Sequence, residues 1–369
     1  MSAAPSDSMS QPAASRYQPR DADERSIWMM MDEQEQELKD SRFLVTDPAL
    51  NAYVRSVLCK TVGAVKCAVA RIYILRTPYF NAAMAPNGMM MVWTGLLLRT
   101  RNEAELATVL GHEFAHFEGR HSLNGFRDIK AKTNALTLLS YLPYNAGIAG
   151  QFSLVGSVFS FSRDMERRAD FASLDYLAAS GYDPMAASHI WRNLGAEMSA
   201  RAGERKLSRF LDPGSSFFST HPGVSERMDY LQAAAQRKVG PFRDGAAEYR
   251  KALQGWWPKL IDDQIKLNDF AATEFLLAQM ASDGWTSELL YARGELYRTR
   301  GKPGNIDKAI GFYRQAAKLP GAIPECWRGL GIALLRAGKA GEARKALRSY
   351  LEQRPDAIDA ALIRQMVGK

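Results

Sequence analysis

One stretch constrains this chain more than any other: "NEAELATVLGHEFAHFEGRHSL", residues 102–123, which carries three of its five histidines. Asn102 stands where a helix N-cap belongs, and Glu105 at the third helical position completes a capping-box pattern. On the helix this predicts, His112 and His116 are four residues apart and differ by only about 40° around the axis. Both imidazoles therefore reach one point in space. Glu113 lies beside them, in place to take a proton from a water held there.

His-Glu-x-x-His is the zincin arrangement, two nitrogen ligands and a general base. A catalytic zinc site normally takes three protein ligands and keeps one position for water, so one ligand is missing. His121 is poorly placed to supply it: five residues after His116, it turns roughly 140° away on a continuing helix. The metzincin spacing, which Gly119 fits, would put the third histidine at position 122, and that residue is Ser122. His121 therefore reads as structural or as a neighbour of the ligands. The better candidate lies in "SRDMERRADFASLDY", where Glu166 and Asp170 share a helix face. Glu166 can bind the metal while Asp170 holds the far nitrogen of a ligating histidine. Asp164 and Asp175 compete with them, or are surface charges. Two histidines and a glutamate with one open position make a hydrolytic zinc centre of gluzincin type, with one Zn2+ per chain.

At 369 residues, two domains are expected. The Ser/Ala/Pro-rich residues 1–25 have no apolar core of a signal peptide and read as a disordered leader. Order is expected from Ser26, with a second helix capped by Asp47 and Pro48. A strand follows in "ARIYILRTP", then a turn at Pro86-Asn87-Gly88 and a further strand over Met89–Trp93. Residues 133–162 carry no charge and are broken by Pro143 and Gly147–Gly150, so a membrane span is not expected. They read as a buried helical hairpin, or alternatively as a surface that touches membrane or covers the site. The net charge of +8 reads as a solvated basic surface, and no nucleic-acid motif accompanies it. Of three cysteines, Cys59 and Cys67 are close enough to form one bridge; two buried free thiols are the alternative.

Past residue 245 the pattern is helical and repeats. Trp327, Leu330, Gly331, Leu334, Ala343, Leu347 and Pro355 follow tetratricopeptide spacing, and Leu290, Gly294, Tyr297, Ala309, Tyr313 and Ala316 repeat it. Such arrays grip peptides or partner proteins; a stabilising helical appendage is the plainer reading. The expected architecture is α+β and mostly helical. A small zincin domain with a short sheet spans 26–240, and an all-α repeat array spans 245–369.

The motifs "NAAMAPNG", "VWTGLLLR", "NEAELATVLGHEFAHFEGRHS", "SRDMERRAD" and "STHPGVSERMDYL" occur in an order that resembles the HtpX/CAAX-prenyl-protease family of zinc metallopeptidases, in its branch with C-terminal tetratricopeptide repeats. The resemblance covers about residues 40–235. It implies His112, His116 and Glu166 as zinc ligands, Glu113 as base and Asp170 as the acid behind a ligand. It places His221 and Arg227 near the metal, steadying the tetrahedral intermediate or, at rest, filling the open position. It makes "GMMMVW", with Met89, Met90 and Met91, an edge strand on which substrate pairs. It further implies cleavage of protein or unfolded polypeptide substrates in envelope quality control, in a membrane-associated periplasmic setting, with outer-membrane assembly partners reached through the array. The alternative is a chaperone-like or adaptor protein in which proteolysis is secondary or absent. The arginines of "ERRAD" and the missing secretion signal depart from the family pattern, and the second leaves the compartment open.

Overall fold

The computed structural model describes residues 18–132, 161–205 and 224–368. They fall into two compact units: residues 1–193 with 213–254, and residues 194–212 with 255–369. The expected hairpin or cover at 133–162, up to residue 160, and the candidate His221 lie outside the described residues.

In the first unit, helix α1 (Ala22–Lys39) is capped by Asp21, whose side chain accepts from the Glu24 N–H, so order starts ahead of the expected Ser26. Helix α2 (Pro48–Val62) has Asp47 as its cap and proline in its first turn, as the sequence predicts. The short α3 (Ala64–Cys67) follows, and the Cys59–Cys67 pair is bridged, while Cys326 is a buried thiol. Strands β1 (Arg71–Leu75), β2 (Ala82–Met84) and β3 (Met89–Trp93) form one sheet in the order β1-β3-β2. β1 runs parallel to β3, with Arg71 opposite Met89, and β2 antiparallel, with Ala83 opposite Met91.

This order corrects one expectation. Met89, Met90 and Met91 belong to the central strand, paired on both sides and buried along its whole length, so they offer no edge. The edge is β2. Bonds from Trp93 N–H to the Asn81 carbonyl and from Ala85 N–H to the Met89 carbonyl set the ladder phase, so Ala83 faces β3. The peptide groups of Ala82 and Met84 then point outward.

The hairpin between β2 and β3 turns on Gly88 at φ +88°, where a Cβ would lie 2.5 Å from the Val69 carbonyl oxygen. α1 is tied to this sheet by the buried Glu35. Its carboxylate takes two hydrogen bonds from Arg71, one from the Tyr73 hydroxyl and one from the Asn87 amide. Burial raises its pKa, but the bonds from Arg71 and Tyr73 outweigh that and leave it below the ordinary glutamate value.

Helix α4 (Thr94–Arg99) leads into α5 (Glu103–Glu118). Asn102 caps α5 through the Glu105 N–H, but the Glu105 carboxylate returns to the N–H of Arg101, one residue outside the expected box. α6 (His121–Lys132), α7 (Arg163–Ser180), the first half of α8 (Ala186–Arg205), α9 (Val224–Ala235) and α10 (Ala246–Leu253) complete this unit. α5 and α7 approach closely at Gly111, where a Cβ would lie 3.1 Å from Ser173 Oγ. The Ser173 hydroxyl donates to the Thr108 carbonyl at 2.8 Å. The first unit runs to Gln254: Tyr249 of α10 is buried and donates to the Leu97 carbonyl.

The second unit takes the end of α8, where the Glu204 carboxylate accepts from the Ala271 N–H, and continues with α11 (Trp257–Ile265) and α12 (Phe270–Met280). Two antiparallel hairpins follow, α13 (Ser287–Arg300) with α14 (Asn305–Lys318), and α15 (Glu325–Arg336) with α16 (Ala340–Gln353); α17 (Ala360–Gly368) closes it. Tyr313 of α14 fills the space left by Gly294 and Gly329, where a Cβ would come within 2.4 and 2.6 Å of its ring. Leu347 fills the space beside Gly331 in the same way. Among the described residues, no helix is long and apolar enough to cross a membrane.

The buried Glu105 gives a pH signature. Burial pushes its carboxyl up to about 7, against 4.5 for an ordinary glutamate, with the Arg101 N–H opposing the shift. The folded state thus holds this proton more tightly than the unfolded state. The stability it contributes is full below about pH 4.5 and is lost as pH rises through about 7. In urea titrations, Glu105→Gln is expected to flatten the fall in stability between those values and to leave the chain more stable than wild type at pH 8.

Candidate metal centre

The centre is built where α5 and α7 face each other. Four-residue spacing puts His112 and His116 on the α5 face toward α7, and Glu166 and Asp170 on the α7 face toward α5. All four are buried. The Nε2 atoms of His112 and His116 are 3.0 Å apart; Glu166 Oε2 is 3.5 Å from the first and Oε1 is 3.3 Å from the second. Two imidazole nitrogens and a carboxylate oxygen within 4.8 Å of one another form a metal-ligating set, the sole one among the described residues. The donors suit zinc, which favours histidine nitrogen and carboxylate oxygen in tetrahedral sites. Buried around these donors are the carboxyls of Glu113 and Asp170 and the guanidinium of Arg227.

Behind the donors, Asp170 Oδ1 is 3.0 Å from His112 Nδ1, the nitrogen that faces away from the set. Arg227 of α9 binds both Asp170 oxygens, through Nε at 2.9 Å and a terminal nitrogen at 2.6 Å, and its other terminal nitrogen is 3.3 Å from Glu166 Oε2. The Tyr230 hydroxyl also donates to Asp170. The guanidinium lies over the Trp191 ring, 3.9 Å from its centroid. Burial opposes ionisation of Asp170, but the charge of Arg227 and the bonds from His112 and Arg227 hold it well below the usual aspartate value. Burial and Arg227 depress His112, yet its bonds to Asp170 and Glu166 win and raise it to about 9.

The geometry thus brings His112, His116, Glu166, Asp170 and Arg227 together, with the buried Glu113 next along α5. The ligand set contains neither Asp164 nor Asp175; Asp175 instead pairs with Lys238. Arg227 lies beside the ligands: it bonds Asp170, lies flat on Trp191, and its terminal nitrogens come within 3.3 Å of Glu166 Oε2 and 3.5 Å of His112 Nε2. Trp191 and Tyr230 were not foreseen, although Arg227 and Tyr230, three apart on one helix, repeat the shared-face logic of Glu166 and Asp170. The expected continuing helix at His121 also fails, since α5 ends at Gly119 and Arg120 takes φ +54°. His121 thereby turns back onto His116. Beside His116, a cavity of about 200 Å³ is lined by Met84 and Pro86 at the end of β2 and by Glu24 and Arg120.

Arg227→Leu leaves the buried Asp170 carboxylate without its guanidinium partner, a loss of about 3–5 kcal/mol. Urea unfolding of the metal-free protein is expected to show that loss, and a saturating divalent metal ion to recover part of it.

The family model for peptidase family M48 matches residues 46–235, which contain the sheet, α5, α7 and α9. Mitochondrial metalloendopeptidase OMA1 of Arabidopsis thaliana is 32% identical over 166 residues, 44% of this chain and 31% of the relative. OMA1 of Schizosaccharomyces pombe is also 32% identical, over 45% of its own length. Beta-barrel assembly-enhancing protease of Escherichia coli is 26% identical over 246 residues, 60% of this chain and 50% of the relative. The chain spans from about a third to a half of the length of these relatives. With the family model covering more than half of it, the chain belongs to peptidase family M48.

Proposed function

We propose that this protein is a zinc-dependent metalloendopeptidase that hydrolyses peptide bonds of protein or unfolded polypeptide substrates. One observation carries the reading: two histidines and a glutamate from facing helices bring their donor atoms together, with the buried Glu113 beside them. His112, His116 and Glu166 hold one Zn2+. When bound, zinc acidifies water and polarises the scissile carbonyl. Glu113 takes the proton from that water and passes it to the leaving amine. Asp170 fixes the His112 tautomer, and Arg227 keeps Asp170 ionised and holds both Asp170 and Glu166 in place. The outward peptide groups of Ala82 and Met84 on β2 offer an extended substrate a strand to pair with, in place of the expected Met89–Met91. The cavity at Met84 and His116 takes a side chain of that substrate.

In this reading the second unit is a tetratricopeptide-like array that recruits substrates or partners; the glycine-lined helix contacts at Gly294, Gly329 and Gly331 support it. The setting is envelope protein quality control, in a periplasmic, membrane-associated compartment, with outer-membrane assembly partners. Two things support that setting: likeness to a relative named for β-barrel assembly, and the Cys59–Cys67 bridge, which suits an oxidising compartment. His221, expected near the open position, remains part of the proposal as a group that steadies the intermediate or closes the site at rest.

The test measures metal content and casein cleavage together. Wild type is expected to hold about one zinc per chain and to cleave. Glu113→Gln is expected to keep its zinc while cleavage falls about 10²–10⁴-fold, and Glu166→Ala to lose zinc. Zinc-free wild type, or full cleavage by Glu113→Gln, overturns the reading.

A further inference from the structure

The nitrogen of His116 that faces away from the donor set is Nδ1, and it lies 2.9 Å from Nδ1 of His121. Both rings are buried. A nitrogen that binds a metal presents a lone pair, so an imidazole coordinating through Nε2 carries its proton on Nδ1, and that N–H needs an acceptor. For His112 the acceptor is the Asp170 carboxylate. For His116 we propose that it is His121: the neutral His121 ring accepts the Nδ1 proton of His116 through its own Nδ1, carries its own proton on Nε2, and so holds His116 in the tautomer that leaves Nε2 open to the metal. The inference rests on His116 being a ligand, as argued above.

Three features of the chain build this contact. Arg120 takes φ +54°, a region that residues with a side chain seldom adopt, and this turn ends α5 and brings His121 back over it. Gly119 makes room: a Cβ there would lie 2.6 Å from His121 Nε2, so any other residue at 119 must push the ring away. Phe161 stacks on His116, with ring centroids 3.9 Å apart, and lies 6.0 Å from His121, so the His116 ring is also held on its face. A turn with positive φ, a glycine that clears space and a buried ring-to-ring hydrogen bond together specify an orientation, where simple packing would need only an apolar side chain. The two histidine ligands are then supported unequally, His112 by a charged acceptor and His116 by a neutral one.

The test uses the full chain as wild type, His121→Phe, which keeps a ring and removes the acceptor, and His121→Asn, which places an amide oxygen near the position of Nδ1. The readouts are the zinc dissociation constant, from competition with a chromophoric chelator, and the thermal midpoint of the metal-free protein. His121→Phe is expected to bind zinc about 10–100-fold more weakly. His121→Asn is expected to recover most of that affinity, with metal-free midpoints of the two variants in agreement. Gly119→Ala, which removes no donor atom, is expected to weaken zinc in the same direction as His121→Phe. Wild-type affinity in His121→Phe, or equal losses in His121→Phe and His121→Asn, overturns the inference. Absence of zinc from wild type as well as the variants overturns the metal centre itself, and is told apart by the wild-type measurement.

Discussion

The pairing of Asp170 with Arg227 holds the centre of the first unit. A buried ion costs several kcal/mol to desolvate, and that cost is offset only when its hydrogen bonds are made with good geometry. Asp170 makes them with His112 of α5 and with Arg227 and Tyr230 of α9, while it sits on α7. One carboxylate therefore fixes three helices at the same point. Arg227 is further constrained by Trp191 and by Glu166, so the carboxylate proposed to bind metal is aimed by the same guanidinium. The close approach at Gly111 and the Ser173 bond to the Thr108 carbonyl set the α5–α7 distance within which this works. Positions of the donor atoms are thus set by the helix packing.

The sheet is positioned by a second buried carboxylate used in a similar way. Glu35 collects Arg71, Tyr73 and Asn87 from β1 and from the hairpin, which ties α1 to the face that carries β3. Tight backbone contacts at Gly88 and Gly95, where a Cβ would meet the carbonyls of Val69 and Tyr79, keep the hairpin and the start of α4 compact. The consequence for function is local. β3, locked on both sides, is a support, and β2 is left with its outer peptide groups unpaired by any strand among the described residues.

Local signals were legible where a few neighbouring residues decide the outcome. Asp47-Pro48 and Asn102 read as caps because a cap needs only its own first turn. His112, His116, Glu166 and Asp170 read as a centre because i,i+4 spacing fixes a shared face without knowledge of the fold. What failed needed partners far along the chain. β2 has three small or flexible residues and no alternation long enough to declare a strand, and the edge role of β3 came from resemblance alone. Yet "MMMVW" is apolar at every position, the mark of a strand covered on both faces. Resemblance gives Arg227 its place near the metal, while the partners that orient it, Trp191 and Asp170, are distant in sequence and were not legible as such. The return of His121 was hidden because Arg120, not a glycine, carries the positive φ.

The two units differ in content, yet one device recurs in both. Where a small residue lets two segments come close, a polar group beside it fixes how they meet. In the first unit Gly111 is matched by Ser173, and Gly119 by His121. In the second, Tyr313 enters between Gly294 and Gly329 and its hydroxyl donates to Glu295, which is also bound by Arg298. Burial and the charge of Glu295 push the Tyr313 phenol far above its ordinary value, so it stays a donor throughout the working pH range. Apolar contact alone would tolerate several registers of one helix on another. A buried hydrogen bond that is lost on slipping penalises all but one. For an array the gain is a defined stacking of hairpins, and for a hydrolytic centre it is the placement of donor atoms to within a fraction of an ångström. The same physical rule thus acts in both units, and spacing alone marks glycines such as Gly119 and Gly294 in the sequence but not the polar partners that complete the device.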